Sequence, residues 1–349
     1  MTMHDLDAIY RETLARCAPD VLVKRHVDAS MPRNVVAIGK CAARLLDGVA
    51  STIDIERAFV AVPEGYPLPR TPAEVYAGGH PRMTRASFDA GRALLAFVEA
   101  HHDILFLISG GGSACVEVAL HSEEETASAN ARLIDSGLSI AEINAERRRF
   151  SAIKGGRLRE HVRGRCVTLV YSDVSTGALE DVASGPTITN ASEAILIADN
   201  TTMTKIAAKL IGDAAVVMPD QIEGDVDDAA ELLARRATEL QTGQVLVAGG
   251  EPTVVVRGEG KGGRCSELAV RFAMRSPLAA LFASSDGVDG NSGVAGIHVR
   301  SRPEAGGRAG WQAALRRSAS FEIAMQVGEP IMIAPTGNNL RDLYLVARD

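Results

Sequence analysis

The chain has 349 residues, of which 46% are apolar, 23% charged and only 4% aromatic, and its formal net charge is −7. This length predicts about two domains, each able to bury a core, and the composition excludes a disordered chain. The acidic balance argues against nucleic acid as a partner. The chain lacks both a signal-peptide pattern and the roughly 20 consecutive apolar residues of a membrane helix. We therefore expect a cytoplasmic protein without membrane contact.

Cysteine and histidine usage excludes two further classes of protein. The five cysteines are odd in number, lie far apart and form no CxxC pair, and the eight histidines form no HExxH pattern. These spacings argue against a disulfide framework and against a zinc site. We expect the cysteines to be reduced and buried.

In the first half of the chain, apolar runs rich in β-branched residues alternate with segments of helical period. The predicted strands are Val35–Ile38, Ala58–Val62, Ile104–Ile108 and Val167–Ser172. The predicted helices are Cys41–Val49, Ser87–Ala100, Glu123–Ile134 and Ile140–Phe150. This alternation predicts an α/β fold with a parallel sheet flanked by helices.

The acidic stretch 219–228 favours a domain boundary, and we predict domains 1–225 and 226–349. In the second domain the predicted strands are Val245–Ala248, Thr253–Val256, Ala280–Ala283 and Tyr344–Ala347. The predicted helices are Ala229–Leu240, Ser266–Met274 and Gly310–Arg317.

The strand Ile104–Ile108 runs directly into three glycines flanked by serines, Ser109-Gly110-Gly111-Gly112-Ser113. Glycine lets the backbone approach a ligand closely, so that successive amides can converge on a phosphate. The same residues also suit a tight turn between a strand and a helix. The motif alone leaves both interpretations open.

Two charged residues follow other predicted strands. Lys40 lies on the first helical turn after Val35–Ile38, and Asp173 follows Val167–Ser172. Because the carboxyl ends of parallel strands share one edge of a sheet, we expect Lys40, Asp173 and the glycine loop to lie on one rim. A lysine there can neutralise a phosphoryl group, although a lysine at a helix start is more often simply solvated. The P-loop pattern GxxxxGK[ST] is absent.

Basic residues concentrate between the glycine loop and the next strand. An amphipathic helix with a solvated face explains Arg147 and Arg148. It explains Lys154 and Arg157 less well, because they bracket the pair Gly155-Gly156 and could reach an anion, and both interpretations stay open for these two residues.

A second glycine-rich turn, Gly258 to Gly263, satisfies the dinucleotide pattern GxGxxG but lacks the acidic residue that this pattern requires about 20 positions later. Arg264 follows it at a helix start, where a guanidinium can grip phosphate or carboxylate. Glu251 also follows a predicted strand and offers the oxygen ligands that Mg²⁺ prefers. Asp286 and Asp289 are explained equally well as turn residues.

Seven short phrases, in order, resemble the class II glycerate 2-kinases, whose C-terminal region is called the MOFRL domain. They are Ile38-Gly-Lys-Cys-Ala42, Gly79-His-Pro81, Ile108-Ser-Gly-Gly-Gly-Ser-Ala114, Ile153-Lys-Gly-Gly-Arg-Leu158, Ser172-Asp-Val174 with Ala183-Ser-Gly-Pro-Thr187, Gly249-Gly-Glu251 with Gly262-Gly-Arg264, and Asp286-Gly-Val-Asp-Gly290. The resemblance implies ATP-dependent phosphorylation of the 2-hydroxyl of D-glycerate. It also implies a Rossmann-like N-terminal domain with a mostly parallel sheet, a smaller C-terminal α/β domain, and catalytic positions at Lys40 and Arg264.

The chain departs from this family pattern at several positions. It has Arg147-Arg-Arg-Phe-Ser151 where the family reads Arg-Lys-His-Leu-Ser, and Gly262-Gly-Arg-Cys-Ser-Glu267 where it reads Gly-Gly-Arg-Asn-Gln-Glu. Two carboxylates of the pattern are replaced, at Thr176-Gly-Ala178 and at Gly293. Another small sugar acid of about three to five carbons therefore stays open as the acceptor.

From these residues and the resemblance we expect a kinase site for a small hydroxy acid and a nucleotide. Ser109 and the amides of 110–113 would hold the phosphates of ATP, Lys40 and Arg264 would stabilise the transferred group, and Asp173 and Glu251 would bind Mg²⁺. Lys154 or Arg157 would clamp the acceptor's carboxylate, and Asp289 would contact the acceptor. A hydroxypyruvate reductase, a serine hydrolase using Ser109 or Ser113, and a catalytically silent nucleotide-binding protein are the alternatives. A homodimer also stays open.

Overall fold

The computed structural model describes residues 3–138, 140–174, 177–300 and 308–349. The chain divides into two compact units. One comprises residues 18–199 and 337–339, and we call it the parallel-sheet unit. The other comprises residues 1–17, 200–336 and 340–349, and we call it the mixed-sheet unit. The predicted domains, 1–225 and 226–349, stay a prediction, because a division by spatial contact does not decide where a family domain ends. Thr176 lies outside the described residues.

The strands are β1 Asn34–Ile38, β2 Arg57–Pro63, β3 Glu74–Gly78, β4 His102–Ser109, β5 Arg163–Tyr171, β6 Ile195–Ala198, β7 Ala215–Val217, β8 Val245–Gly250, β9 Ala279–Ser284, β10 Gly296–Val299, β11 Gly328–Ile331 and β12 Asp342–Ala347. The helices are α1 Met3–Arg16, α2 Pro19–Leu22, α3 Ala42–Ala50, α4 Arg85–Ala100, α5 Gly112–Cys115, α6 Glu123–Ile134, α7 Ile140–Phe150, α8 Arg157–Glu160, α9 Asn200–Ile211, α10 Val226–Thr238, α11 Arg264–Ala273, α12 Arg308–Leu315 and α13 Ser320–Val327.

The parallel-sheet unit is built on a six-stranded sheet in the order β3-β2-β1-β4-β5-β6, in which every pairing is parallel. Its central strands are buried on both faces, which explains their continuous runs of Val, Ile, Leu and Phe. The strand order reverses between β1 and β4, and ligands bind at such a switch point in open α/β sheets. The predicted α/β fold and Rossmann-like parallel sheet are confirmed.

The mixed-sheet unit contains a six-stranded sheet in the order β11-β10-β9-β12-β8-β7. Only β7 and β8 run parallel, and the other neighbouring strands are antiparallel. Helix α1 belongs to this unit because Tyr10 is fully buried and its hydroxyl donates to the Ser284 carbonyl at 2.7 Å.

The predicted strand Thr253–Val256 is wrong. Thr253 forms only an isolated bridge to Asp225, and Val255 and Val256 are 57% and 76% exposed. A β-branched run became an irregular segment here because it has no neighbouring strand with which to form a ladder. The prediction also missed β3, β6, β7, β10 and β11, which are short, and helices α1, α9 and α13.

Among the described residues, no helix combines the length and the apolar character that crossing a membrane requires.

Candidate functional site

Three chain segments meet at the carboxyl edge of the parallel sheet. The amide of Lys40 donates to the Gly110 carbonyl at 2.8 Å, and the amide of Cys41 donates to Ser109 Oγ at 3.1 Å. A Cβ atom on Gly110 would lie 1.6 Å from Oδ2 of Asp173. The segments after β1, β4 and β5 are therefore in contact, which confirms the predicted rim and places it at the switch point.

The glycine loop is both a close-packed turn and a row of exposed donors. A Cβ on Gly112 would lie 2.7 Å from Cβ of Ala183, and Gly111 has the left-handed φ of +84°. Such positions favour glycine. Among the described residues, the amides of Gly111, Gly112 and Ser113 donate to no acceptor in the chain. Both interpretations of the motif therefore hold together, because the tight turn leaves these amides available to a ligand.

One cation and one carboxylate border the loop. The side chain of Lys40 lies along Gly111, where a Cβ would be 2.9 Å from Cγ of the lysine. Asp173 Oδ2 accepts a hydrogen bond from Asn339 Nδ2 at 2.7 Å. Burial raises the pKa of the neighbouring Cys41 thiol, Asp173 raises it further, and Lys40 opposes both. The charges of Lys40 and Asp173 thus act in the same small region.

Backbone strain accompanies this site. Ala183 and Ser184 have φ values of +52° and +61°, a conformation that residues other than glycine rarely adopt. Ser184 Oγ lies 2.8 Å from Ser113 Oγ at the end of the glycine loop, and it donates to Asn144 Oδ1 at 2.9 Å. Strained residues concentrate at functional sites, where the surrounding structure holds them.

His80 lies in the neighbourhood of two cations. Desolvation and the positive charges of Lys40 and Arg147 lower the pKa of His80 to about 4. The imidazole is therefore neutral near pH 7.

The two cations predicted to clamp the acceptor have partners within the chain. Lys154 is 2% exposed and forms an ion pair with the fully buried Glu117. Arg157 Nη1 donates to the main-chain carbonyls of Arg148 and of Ser151, the latter at 2.6 Å. These contacts support the local fold, and the clamp roles of Lys154 and Arg157 stay predictions.

The expectation of a solvated face at Arg147 and Arg148 is wrong. Arg147 is only 6% exposed, and Arg148 is partly buried in an ion pair with Asp181. Arg149, whose side chain is 75% exposed, is the solvated member of this run. Three consecutive arginines on a helix point to different sides, so composition alone could not assign the buried one.

In the mixed-sheet unit, Arg264 is held by two carboxylates. Its Nε and Nη2 donate to the two oxygens of buried Asp342 at 3.3 and 3.2 Å, and its Nη1 lies 2.8 Å from Glu251 Oε1. The charge of Asp342, and secondarily that of Glu251, raises the pKa of Arg264. Glu251 Oε2 also lies 3.6 Å from Arg341 Nε. The predicted metal ligand Glu251 therefore faces two guanidinium groups, and its metal role stays a prediction.

Asp289 caps helix α11. Its Oδ1 accepts from the Cys265 amide and its Oδ2 from the Ser266 amide, both at 2.9 Å. Burial raises the pKa of Asp289 to about 6 against these hydrogen bonds, which lower it. The helix start beside Arg264 is thus occupied by a carboxylate of the chain, and contact with the acceptor stays a prediction.

The GxGxxG glycines serve close packing. A Cβ on Gly258 would lie 2.7 Å from the Arg317 carbonyl oxygen, and one on Gly260 would lie 2.5 Å from the Ala319 nitrogen. These glycines are needed because two backbone segments meet, which argues against a dinucleotide cradle here.

Four polar residues in or near this site were missed in the sequence. Ser184 and Asn339 contact the rim, Asn144 contacts the strained segment, and Asn130 contacts Arg147 and the Pro81 carbonyl. Ser184 lies in a phrase of the family resemblance, and Asn339 lies 166 positions from its partner Asp173. The amides on α6 and α7 carried no signal, because asparagine in a polar helix looks like a surface residue.

Metal ligands are sparse. Among the described residues there is no group of three or more His, Cys, Asp or Glu side chains that could hold an ion. Asp173 is the carboxylate that borders the glycine loop.

Comparison with known proteins gives two family matches. Residues 5–222 match the family described as a domain of unknown function, DUF4147, and residues 244–342 match the MOFRL family.

Several relatives cover about nine-tenths of the chain or more. A glycerate 2-kinase from Sulfurisphaera tokodaii is 28% identical over 89% of this chain and 89% of its own. A putative hydroxypyruvate reductase from Agrobacterium vitis is 26% identical over 99% of this chain and 96% of its own. The crystal structure of a glycerate kinase from Thermotoga maritima superposes with a TM-score of 0.89 at 27% identity, covering 99% of both chains.

Proposed function

Since the chain belongs to the glycerate 2-kinase family, in which a DUF4147 domain precedes a MOFRL domain, we propose that it transfers the γ-phosphoryl group of ATP to the 2-hydroxyl of D-glycerate. The observation that carries this proposal is the meeting of the glycine loop, Lys40 and Asp173 at the switch point of the parallel sheet. Phosphoryl transfer needs positioning and charge stabilisation more than covalent chemistry, and this rim offers donors and a cation.

Each group at the rim has a distinct proposed part. The amides of Gly111, Gly112 and Ser113 bind phosphate oxygens of the nucleotide, and the rigid turn fixes their direction without a side chain intervening. The ammonium of Lys40, whose side chain lies along Gly111, offsets charge on the phosphoryl group as it moves.

Asp173 fits a magnesium ion that is held mainly by phosphate oxygens and water. In such sites the protein supplies one or two carboxylates, and Asp173 stands against the loop with one oxygen hydrogen-bonded to Asn339. Bound Mg²⁺ would offset charge on the β- and γ-phosphate oxygens. The protein's own contribution is to hold the Asp173 carboxylate in place through its hydrogen bond with the Asn339 amide.

We also assign Arg264 a catalytic role, the stabilisation of charge on the transferred phosphoryl group, because two carboxylates orient its guanidinium. Asp342 accepts hydrogen bonds from two guanidinium nitrogens of Arg264 and so orients the group. Glu251 forms an ion pair with the third nitrogen, and the side chains of Arg264 and Glu251 are both partly exposed. An incoming phosphate could exchange with Glu251, which is more exposed than Asp342.

The hydroxypyruvate reductase named among the relatives is the second candidate. It would need a nicotinamide site, and the packing of Gly258 and Gly260 against residues 317–319 does not support one in the GxGxxG turn. We therefore rank this function below the kinase. The cytoplasmic location and the homodimer stay predictions.

Measuring ADP release from ATP and Mg²⁺ with D-glycerate and with other hydroxy acids of about three to five carbons tests the proposal directly. We expect D-glycerate to be the best acceptor, and ³¹P NMR should identify 2-phosphoglycerate rather than 3-phosphoglycerate. NADH oxidation with hydroxypyruvate and no ADP release would instead assign the reductase. Thermal stabilisation by ATP without any product would assign a silent nucleotide-binding protein.

A further inference from the structure

Arg147 is a buried cation that donates hydrogen bonds to neutral side-chain amides. It is 6% exposed, its Nε donates to Asn130 Oδ1 at 2.9 Å, and its Nη1 lies 3.4 Å from Asn144 Oδ1. Both acceptors are neutral amides, and among the described residues no carboxylate forms an ion pair with this guanidinium. Desolvation lowers the pKa of Arg147 more than the negative charge of Glu117 raises it, and Glu117 is itself ion-paired with Lys154. A desolvated cation that shares its counter-charge with another cation is costly, and such a site favours an anionic ligand.

Neighbouring basic residues do not share this property. Lys154 pairs with Glu117, Arg148 with Asp181 and Arg149 with Glu146. Each of these cations thus has a carboxylate in direct contact, which no described residue supplies to Arg147.

Two hydrogen-bond chains fix Arg147 between the segments of the site. In the first, Asn130 accepts from Arg147 and its Nδ2 donates to the Pro81 carbonyl at 3.3 Å, next to His80. In the second, Asn144 Oδ1 accepts from both Arg147 and Ser184, and Ser184 contacts Ser113 of the glycine loop. The guanidinium is thereby held in one orientation between His80-Pro81 and the end of the loop.

Arg147 and Lys40 both act on the region around His80, because the positive charge of each lowers the pKa of the His80 imidazole. With His80 neutral near pH 7, the two cations face this region without the imidazole adding a third charge. Lys40 borders the loop that we assign to the nucleotide phosphates, so Arg147 is available for a second anion.

We infer that Arg147 binds the carboxylate of the acceptor acid, an inference that rests on the proposed kinase function. A planar guanidinium matches a carboxylate with two parallel hydrogen bonds, and Asn130 and Asn144 hold its plane. The hydroxy acid is thus fixed by its carboxylate in the parallel-sheet unit that also carries the glycine loop. This assignment replaces Lys154 and Arg157, whose polar ends already have partners in the chain.

The test compares Arg147→Gln and Arg147→Lys with Arg149→Gln, a matched control on the same helix whose side chain is solvated. We expect Arg147→Gln to raise KM for D-glycerate at least 50-fold while KM for ATP stays within twofold. Arg147→Lys should recover part of that loss, and Arg149→Gln should behave as the unaltered protein. KM values for glycerate within threefold in both Arg147 variants, with activity retained, would overturn the inference and leave the kinase function standing.

A measurement on the unaltered protein covers the case in which the glutamine variant does not fold. Glyceramide has the hydroxyls of glycerate and an uncharged amide in place of the carboxylate. We expect kcat/KM for glyceramide to be at least 100-fold lower than for glycerate, and equal values would reject a carboxylate site. If no acceptor is phosphorylated at all, the kinase function fails, and calorimetric titration with D-glycerate then decides about Arg147. Binding that is weaker in Arg147→Lys than in the unaltered protein supports the inference. Binding that is unchanged in this variant, or absent from the unaltered protein, overturns it.

Discussion

The two glycine-rich turns of this chain differ in what binds their amides. In the parallel-sheet unit, the loop 109–113 leaves three amides without an acceptor among the described residues, and the side chain of Lys40 lies along it. In the mixed-sheet unit, the turn that ends at Gly263 leads into α11, whose first amides donate to Asp289. We call the loop 109–113 the open turn, because its amides can bind an anion. We call the turn that ends at Gly263 the closed turn, because the amides after it already bind a carboxylate of the chain.

A glycine-rich turn beside a basic residue therefore has two physical uses. At a switch point of a parallel sheet, glycine clears space for a ligand. Where two backbone segments of one unit are in contact, a glycine avoids the collision that a Cβ atom would cause, as Gly260 does beside the Ala319 backbone. The neighbouring strands and carboxylates decide between these uses, and the glycines themselves do not.

Replacing the lysine at the open turn should have the largest effect. We expect Lys40→Met to lower kcat by about 100- to 1000-fold, the usual loss when a donor to a developing charge is removed. The melting temperature should change little, since methionine keeps the aliphatic contact with Gly111. Steady-state kinetics and a thermal melt measure both quantities, and the exposed Lys24→Met serves as the control. A near-normal kcat in Lys40→Met would show that the open turn has no role in phosphoryl transfer.

A pair of alanine substitutions separates the two uses of glycine. In Gly110→Ala the new Cβ meets the end of the Asp173 side chain, which can turn away, so we expect a folded protein with at least tenfold lower kcat. In Gly260→Ala the new Cβ meets the backbone at Ala319, so we expect the free energy of unfolding to fall by about 1–3 kcal/mol while kcat stays within twofold.

Denaturant titration and kinetics on both alanine variants decide the matter. A Gly110→Ala enzyme with full activity would show that the contact with Asp173 has no functional part. A Gly260→Ala protein that is stable but inactive would show that the second turn also serves the reaction.

The sequence predicted the open turn well and the closed turn poorly, for a physical reason. Strands rich in β-branched residues that alternate with helices predict a parallel sheet. Because the carboxyl ends of parallel strands lie at one edge of the sheet, Lys40, Gly110 and Asp173 could be placed together. The mixed sheet gives no such rule, because its antiparallel strands end at opposite edges. The contacts of Arg264 with Asp342 and of Asp289 with α11 join positions 78 and 23–24 residues apart, and nothing local encodes them.

The burial of Arg147 was beyond prediction for a related reason. Its neighbours Arg148 and Arg149 share its charge and its helix, and the difference between them is which carboxylate each one reaches. Asp181 forms an ion pair with Arg148 and Glu146 forms one with Arg149, whereas Arg147 donates to side-chain amides. Tertiary packing decides which of the three arginines is buried against amides.

The closed turn predicts a pH-dependent stability. Burial raises the pKa of Asp289 from 3.8 to about 6, so between these values the folded protein binds a proton that the unfolded chain releases. The contribution of this carboxyl to stability is therefore full below about pH 4, amounts to roughly 3 kcal/mol, and is lost as the pH rises through 6. We expect the free energy of unfolding of the unaltered protein, relative to Asp289→Asn, to fall by roughly 2 kcal/mol between pH 4 and pH 7.

Urea titrations at several pH values measure this difference, with the exposed Asp213→Asn as a control that should show no trend. Two effects compete at Asp289, because desolvation favours the protonated acid whereas the amides of Cys265 and Ser266 favour the carboxylate. A relative stability that rises with pH would mean that the amides of α11 dominate. The helix start would then hold a full negative charge, as an anion site does, and the closed turn would differ from the open one only in the source of its anion.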